Sequence, residues 1–226
     1  MQFIAENVQA VRERITQACE RVGRSSEEVT LVAVTKTVPV ELVQAAAACG
    51  VTDFGENRVQ EAESKIAQLP DIGKWHFIGT LQTNKVRRAL SLFDCIHSVD
   101  RPRLVHALAR AVPVGRSLLM QVNVADEATK HGVSVEEAPE LARQMSEKGL
   151  QLAGLMTVAP WVDDPEDVRP VFRELRLLAC RLRDMNLPGI DPKHLSMGMT
   201  SDFEVAIEEG ADLVRLGSAV FGPRRT

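Results

Sequence analysis

The most constraining feature of this sequence is a regular alternation of short β-rich runs with helical stretches. The helical stretches begin near Pro39, Asn57, Thr83, Arg101, Ser134, Pro165 and Ser201. The β-rich runs are LVAVTK at 31, VTDFGE at 51, WHFIGT at 75, DCIHSVD at 94, SLLMQVNV at 117, LQLAGLMTV at 150, KHLSMGM at 193 and DLVRLGSAVFG at 212. Strands that alternate with helices form parallel βαβ units, and eight such units close into a barrel. The sequence therefore predicts an α/β fold, a single (β/α)8 TIM-barrel domain over residues 1–226.

The segment before the first β-rich run predicts an extra N-terminal helix. Its apolar residues, from Phe3 to Cys19, recur at helical spacing, and the pattern ends near Gly23. The alternative architecture, an open doubly wound sheet, favours a Gly-x-Gly-x-x-Gly turn after an early strand. The first strand instead continues into Thr-Lys-Thr-Val-Pro, which contains no glycine. The closed barrel is therefore the preferred prediction.

The amino-acid composition limits the classes to which this protein and its binding partners can belong. The chain is 45% apolar and 26% charged, with 27 Lys and Arg against 31 Asp and Glu. This is typical of a soluble globular domain and provides no basic field for nucleic acid. Four scattered cysteines without a Cys-x-x-Cys pair predict neither a zinc site nor a disulfide framework. Because Glu6, Arg12 and Glu13 interrupt the N-terminus, we predict no secretory signal and expect a cytoplasmic protein.

Candidate functional residues lie where the predicted strands end, because the loops that follow barrel strands carry the active site. Along LVAVTK, the period of two places Val32, Val34 and Lys36 on the face that lines the barrel. A buried ammonium group loses its proton more readily, and the neutral amine can then form an imine with a carbonyl ligand. The alternative interpretation is a lysine that extends to the rim or pairs with a carboxylate such as Glu56.

Small residues and hydroxyls follow the seventh and eighth predicted strands. LSMGMTSDFE leads from strand seven into a helix that Ser201 or Asp202 would cap, and Gly217 and Ser218 come just after strand eight. Loops at these two positions often hold phosphate in barrels, through backbone N–H groups and hydroxyls. The alternative is that the glycines only make tight turns and that Thr200 and Ser201 only cap the helix.

Arg215 shares a face of the eighth predicted strand with Leu213 and Gly217, which predicts a guanidinium that points into the barrel. A guanidinium does not readily lose a proton and can only donate hydrogen bonds. Opposite a ring nitrogen, it therefore keeps that nitrogen unprotonated. The alternative interpretation is an interior salt bridge, for example to Glu56.

A lysine, a phosphate-binding rim and an inward arginine are the parts that pyridoxal phosphate requires, and the motifs around them resemble those of a known family. The chain resembles the pyridoxal-phosphate homeostasis proteins, the YggS-like family, whose barrel is of the alanine racemase N-terminal-domain type. The motifs that carry the resemblance are AVTKTVP around Lys36, FGENRVQE at 54–61, WHFIGTLQTNK at 75–85, GLMTVAP at 154–160, LSMGMTSDFEVAI at 195–207 and VRLGSAVFG at 214–222. The resemblance thus covers nearly the whole chain.

The resemblance implies a pyridoxal 5'-phosphate (PLP) site with no metal and no catalytic residue. The implied cofactor-binding residues are Lys36, Asn57, His76, Gly79, Met199, Thr200, Ser201, Arg215, Gly217 and Ser218. Lys36 would hold PLP as a Schiff base, and Arg215 would face the pyridine nitrogen. Thr200 stands where the family usually has serine, and Ser201 is the alternative phosphate hydroxyl. His76 would line the wall near the ring, with a hydrogen-bonded core histidine as the alternative.

The resemblance also implies a cofactor carrier and not an enzyme. Racemases with this barrel take their second base, a tyrosine, from an additional β-domain, whereas this sequence has no tyrosine and ends soon after the eighth strand. An arginine at the ring nitrogen further weakens PLP as an electron sink. We therefore expect a monomeric PLP-binding protein of vitamin B6 homeostasis, with PLP-dependent apo-enzymes as partners and no binding to nucleic acid or membranes. The alternatives are a weak PLP-dependent amino-acid racemase and a cofactor-sensing regulatory protein.

Overall fold

Eight parallel strands form a closed barrel in a computed structural model that describes residues 2–111, 116–127 and 130–223. Each strand pairs with its neighbours in chain order, and the last strand pairs with the first. The strands are Thr30–Val34 (β1), Asp53–Glu56 (β2), Lys74–Phe77 (β3), Cys95–Val99 (β4), Ser117–Gln121 (β5), Leu152–Met156 (β6), Ile190–Ser196 (β7) and Leu213–Leu216 (β8). The predicted (β/α)8 barrel is confirmed.

A helix precedes the barrel and a further helix follows each strand. The helices are Gln2–Arg21 (α1), Val40–Ala48 (α2), Val59–Gln68 (α3), Val86–Leu92 (α4), Pro102–Ala109 (α5), Ala138–Glu147 (α6), Arg169–Asp184 (α7), Phe203–Glu208 (α8) and Ser218–Phe221 (α9). Short 3₁₀ turns at Ser26–Glu28, Thr83–Lys85 and Pro165–Val168 precede β1, α4 and α7. Within the described part of the chain, no helix has the length and apolar character needed to cross a bilayer.

Two of the predicted strands differ from the observed ones. Strand β7 begins at Ile190, before the predicted run, and includes Pro192. The pairing with β6 shifts register between Leu152 and Gly154, and this irregularity accommodates a proline that has no N–H for a regular ladder. The last predicted run divides at Gly217 into β8 and the short helix α9. Both changes lie on strands whose ends carry the candidate phosphate loops.

Alternation along the strands separates the barrel interior from the apolar layer beneath the helices. On β3, Trp75 and Phe77 belong to the main hydrophobic core, where Phe77 packs against Phe93 with ring centroids 5.1 Å apart. His76, between them, faces the interior and bonds to Asp53 on β2. The helix layer thus supplies the main core, while the inside of the barrel holds polar side chains such as His76 beside a small apolar cluster of Cys95, Leu119 and Met156.

Helix α1 packs over the carboxyl-terminal end of the chain. Its buried face includes Ile4, Val11 and Ile15, and it contacts α8 and α9. Arg14 of α1 pairs with Glu204 of α8 at 2.7 Å. The predicted N-terminal helix therefore covers the helices that follow the two candidate phosphate loops.

Candidate cofactor site

Strands β1 and β8 bring Lys36 and the loop after β8 to the same end of the barrel. The register pairs Ala33 with Leu216, and a Cβ placed on Gly217 would lie 3.6 Å from the Cβ of Val34. Lys36 follows β1 closely and is partly buried. Lys36 and the loop after β8 therefore both follow strands at the carboxyl-terminal rim, where barrel active sites form.

Glu56, the alternative partner considered for Lys36 and Arg215, lies beneath helix α3 and is fully buried. Its Oε1 accepts hydrogen bonds from Lys65 Nζ at 2.5 Å and from Thr35 Oγ1 at 2.6 Å. Burial raises the pKa of Glu56, and the bonds from Lys65 and Thr35 oppose that rise. A second lysine, which the sequence analysis did not single out, therefore compensates this carboxylate.

Arg215 lies inside the barrel, with 5% of its surface exposed. Its Nη1 donates to Ser196 Oγ at 2.7 Å, and its Nη2 donates to the carbonyl oxygen of Thr157 at 2.7 Å. Both acceptors are uncharged, and among the described residues no ion pair joins Arg215 to Glu56. Burial lowers the pKa of Arg215 to about 10, which leaves the guanidinium charged at neutral pH. These bonds use two of its five N–H donors.

A chain of hydrogen bonds leads from Arg215 through the barrel interior. Ser196 Oγ lies 2.9 Å from His97 Nδ1, and His97 Nε2 lies 2.9 Å from His76 Nδ1. His76 Nε2 in turn lies 2.9 Å from Asp53 Oδ1. The sequence analysis did not single out Asp53 or His97. The signal that was present is the alternation in Cys-Ile-His of β4, which puts His97 on the same face as Cys95.

Hydroxyls from the loops after β7 and β8 meet at the rim. Ser218 Oγ donates to Thr200 Oγ1 at 3.3 Å, and both residues line a cavity of about 260 Å³ that Arg14 of α1 also borders. Ser201 is exposed, and its Oγ lies 3.5 Å from Asp202 Oδ2. Of the two candidate hydroxyls, Thr200 is therefore the one that adjoins Ser218.

Hydrogen bonds to backbone groups of the loop after β7 hold this loop in place. Asp202 stands at the N-cap of α8 but does not cap the helix with its side chain; its Oδ1 instead accepts from the N–H of Met199 at 2.6 Å. The prediction that Asp202 would cap the helix was therefore wrong, because its carboxylate accepts from the preceding loop and not from an N–H group of α8. Gly198 has a φ of +92°, a region that favours glycine, and its carbonyl oxygen accepts from the N–H of Arg215 at 3.0 Å. The loop is thus tied to β8.

Asn57 and Gly79 lie in close contact at the ends of β2 and β3. A Cβ on Gly79 would lie 2.2 Å from the carbonyl oxygen of Asn57, so only glycine allows this approach. The side-chain Oδ1 of Asn57 is buried without a hydrogen-bond partner among the described residues. An orphaned buried acceptor is costly, typically about 1–3 kcal/mol. This amide is therefore suited to accept a bond from a ligand or water.

Comparison with known proteins places this geometry in a family. The profile of the alanine racemase N-terminal domain family matches residues 6–225. The pyridoxal phosphate homeostasis protein of Aquifex aeolicus (strain VF5) is 44% identical, over 97% of this chain and 98% of its own length. The structure of PipY from Synechococcus elongatus PCC7942 with PLP bound is 35% identical and has a TM-score of 0.80, over 97% of this chain and 100% of that one.

Alanine racemase from Corynebacterium glutamicum shares the fold. Its structure has a TM-score of 0.76 at 15% identity and aligns with 98% of this chain, but this chain covers 61% of the racemase. The long, full-length matches are instead to the homeostasis proteins. The chain therefore belongs to the alanine racemase N-terminal domain family and, within it, to the pyridoxal phosphate homeostasis proteins.

Proposed function

We propose that this protein binds pyridoxal 5'-phosphate for PLP homeostasis and that Lys36 holds the cofactor as a Schiff base. The observation that supports the proposal is that Lys36 follows β1 while Arg215 lies inside the barrel on the neighbouring β8, whose following loop carries the hydroxyl of Ser218 against that of Thr200. The homeostasis relatives and the PLP-bound PipY structure support it.

The residues present fit the cofactor. The hydroxyls of Thr200 and Ser218 are suited to bind phosphate oxygens. Arg215 presents N–H groups from which a pyridine nitrogen can accept a hydrogen bond. The orphaned Oδ1 of Asn57 is suited to a donor near the ring. Two features carry a burial cost that a polar ligand relieves: a buried cation without an ion-pair partner among the described residues, and an unsatisfied buried amide oxygen.

Lys36 is the nucleophile in this proposal. PLP would supply an aldehyde carbon, which Lys36 would hold through a C=N bond formed with loss of one water. The reaction is reversible by addition of water, which suits a carrier. Lys65 of α3 pairs with Glu56 at the end of β2, and Lys36, which follows β1, is the lysine that we assign to the cofactor.

The remaining site residues bind without reacting. Arg215 donates to the ring nitrogen and keeps it unprotonated. Asn57 and Gly79 border the ring. The loops around the phosphate are formed by Met199, Thr200, Ser201, Gly217 and Ser218. His76 belongs to the site through its contacts in the barrel interior and is 5% exposed.

We further propose a carrier without strong catalytic activity, because a neutral pyridine accepts carbanion charge less well than a pyridinium. Both ring nitrogens of His76 are engaged, by Asp53 and by His97, which makes this histidine a poor second base for racemisation. The cellular setting that we propose is a monomer in the cytoplasm that delivers PLP to apo-enzymes.

The test is the absorption spectrum of the purified full chain with added PLP. We expect a near-visible band that borohydride abolishes by reduction, and we expect Lys36→Ala to lose it. Lys148→Ala is the matched control because Lys148 is an exposed lysine after α6. A Lys36→Ala protein that is folded by circular dichroism and keeps the band would overturn the assignment of Lys36. A wild-type protein that takes up no PLP would overturn the function.

A further inference from the structure

Five polar side chains form a continuous path across the barrel interior, which we call the interior relay: Asp53, His76, His97, Ser196 and Arg215. The successive distances are 2.9, 2.9, 2.9 and 2.7 Å. Each of the five residues is at most 9% exposed. They come from five different strands, so the relay connects the amino-terminal end of β2 with the guanidinium of β8.

The two end residues of the relay, Asp53 and Arg215, determine the direction in which its hydrogen bonds are donated. A guanidinium can only donate hydrogen bonds and an ionised carboxylate can only accept them. Burial alone would raise the pKa of Asp53, but bonds from His76 and Thr52 outweigh it and hold that pKa below its usual value. Burial, with His76 and Arg215 nearby, lowers the pKa of His97 well below its usual value. Asp53 is therefore ionised and His97 neutral at pH 7.

With one proton on each histidine, one arrangement of protons satisfies every member. Ser196 Oγ accepts from Arg215 and donates to His97 Nδ1. His97 Nε2–H then donates to His76 Nδ1, and His76 Nε2–H donates to Asp53. In the reversed arrangement, His76 Nε2 carries no proton and faces Asp53 Oδ1, so that two hydrogen-bond acceptors lie 2.9 Å apart. Only a second proton on His76 would relieve this contact. The carboxylate thus selects one tautomer of each histidine.

Cys95 lies beside the relay and forms with His76 and His97 a group of three metal-type ligands, with ligand atoms within 4.8 Å of one another. Burial raises the pKa of Cys95 to about 12, so the thiol stays protonated at neutral pH. The facing nitrogens of the two histidines also bond to each other. The geometry is therefore that of a hydrogen-bonded interior.

We propose that Asp53 is a remote positioning residue: through the interior relay, its carboxylate sets the orientation in which Arg215 meets a bound ring. This inference rests on the proposed PLP-binding function. In the selected direction, Ser196 donates and accepts at once, and such chained hydrogen bonds strengthen one another. In the reversed direction, Ser196 accepts from both His97 and Arg215, and its own proton must find another acceptor, so Arg215 is held less firmly.

Asp53→Asn tests the direction of the relay with little change in shape. Thr52 Oγ1 donates to Asp53 Oδ2 at 2.7 Å, which keeps the amide oxygen on that side and turns the NH₂ group toward His76. The relay then reverses, and His97 carries its proton on Nδ1 instead of Nε2. Long-range ¹H–¹⁵N spectra of the histidine-labelled protein without PLP at pH 7.5 read the tautomers directly. A His97 that remains Nε2-protonated in folded Asp53→Asn overturns the proposal.

Asp94→Asn is the matched control. Asp94 lies between β3 and β4, and its side chain is 55% exposed. Its Oδ2 accepts from the N–H of Trp75 at 2.9 Å, outside the relay. We expect the histidine tautomers of this variant, and its PLP binding, to match those of the wild type. A tautomer change in Asp94→Asn equal to that in Asp53→Asn would overturn the specific role of Asp53.

Ser196→Ala cuts the relay between His97 and Arg215 and is the second variant. We expect Asp53→Asn and Ser196→Ala each to weaken PLP binding about three- to tenfold, the scale of one hydrogen bond. The near-visible band should shift in the same direction in both. Because both act through one path, the double variant should bind PLP no more weakly than Ser196→Ala alone. Independent, multiplying effects would overturn the proposal.

The outcomes separate the two proposals. A wild-type protein that takes up no PLP overturns the proposed function, whereas the tautomer switch in the unloaded protein still supports the relay. A wild-type protein that binds PLP, with an Asp53→Asn variant of unchanged affinity and unchanged band, overturns the positioning role and leaves the function standing.

Discussion

At the scale of single residues, the choice of side chain is most restricted where the backbone after one strand contacts the backbone after the next. Gly79 at the end of β3 approaches the Asn57 carbonyl so closely that a Cβ would lie 2.2 Å from the oxygen. This contact fixes the backbone of Asn57, whose side-chain Oδ1 is buried without a hydrogen-bond partner among the described residues. A glycine here therefore serves the site through packing and not through chemistry of its own.

We expect Gly79→Ala to lower the free energy of unfolding by about 2 kcal/mol more than Gly149→Ala does. Gly149 has a φ of +70°, and no atom lies within 4 Å of the position that a Cβ would take there. Its substitution therefore costs about 1 kcal/mol of backbone strain alone. Urea denaturation of both variants measures the difference. Equal losses would mean that the close approach at Gly79 relaxes without cost.

At the scale of elements, an ion cluster joins α7 to α8, the helix that follows the candidate phosphate loop. Glu209 accepts from Arg169 at 3.3 Å, from Arg173 at 3.1 Å and from Arg176 at 3.1 Å. The side chain of Glu209 is 6% exposed, whereas those of Arg173 and Arg176 are about half exposed. The carboxylate is thus compensated by cations that reach in from α7.

We expect Glu209→Gln to lower the free energy of unfolding at pH 7 by about 1–2 kcal/mol. Burial alone would raise the pKa of Glu209, but bonds from the arginines outweigh it, so the folded pKa lies below the ordinary 4.5. The contribution is therefore complete above pH 4.5 and is lost as the pH falls through the folded pKa. Denaturant titrations from pH 7 to pH 3 should show the difference between wild type and variant shrinking.

Glu174→Gln is the control for this cluster. Its partner Arg181 is on the same helix, and the two side chains are 40% and 56% exposed. An exposed pair of this kind contributes less than about 1 kcal/mol. A Glu209→Gln variant no less stable than Glu174→Gln, or a difference that is constant with pH, would contradict the assigned role of the cluster.

At the scale of the whole molecule, closure of the barrel brings together the proposed PLP-binding residues from both ends of the sequence. The same closure supplies few groups for proton transfer. Lys36 comes from β1 and Arg215 from β8, which are hydrogen-bonded neighbours. The 226 residues contain no tyrosine. Inside the barrel, the two histidines of the interior relay are bonded to each other and to Asp53 and Ser196. Both ring nitrogens of these two histidines are therefore engaged within the relay.

We therefore expect the PLP-loaded protein to exchange the Cα hydrogen of added L-alanine with deuterium from ²H₂O no faster than the same concentration of free PLP does. Mass spectrometry of the amino acid measures the exchange, and a PLP-dependent racemase serves as the positive control. Exchange that exceeds the free-cofactor rate by tenfold or more, and that is lost in Lys36→Ala, would favour the weak-racemase alternative.

Much of the architecture was predictable from local pattern. The alternation of β-rich runs with helical stretches determined the closed barrel, and the period of two placed Arg215 inside it. The start of β7 was missed because Pro192 is typical of a strand breaker, whereas an irregular register with β6 accommodates it. Local propensity does not reveal such an irregularity, because the partner strand creates it.

The sequence by itself determined the order of the elements, the position of Lys36 after the first strand and the hydroxyls after the last two strands. Only the tertiary structure decided which side chains bond to which: Glu56 to Lys65, and His97 to both His76 and Ser196. The reason is that strand periodicity specifies the face on which a side chain lies. A hydrogen bond instead depends on distances of a few tenths of an ångström between strands far apart in sequence, which closure of the barrel alone establishes.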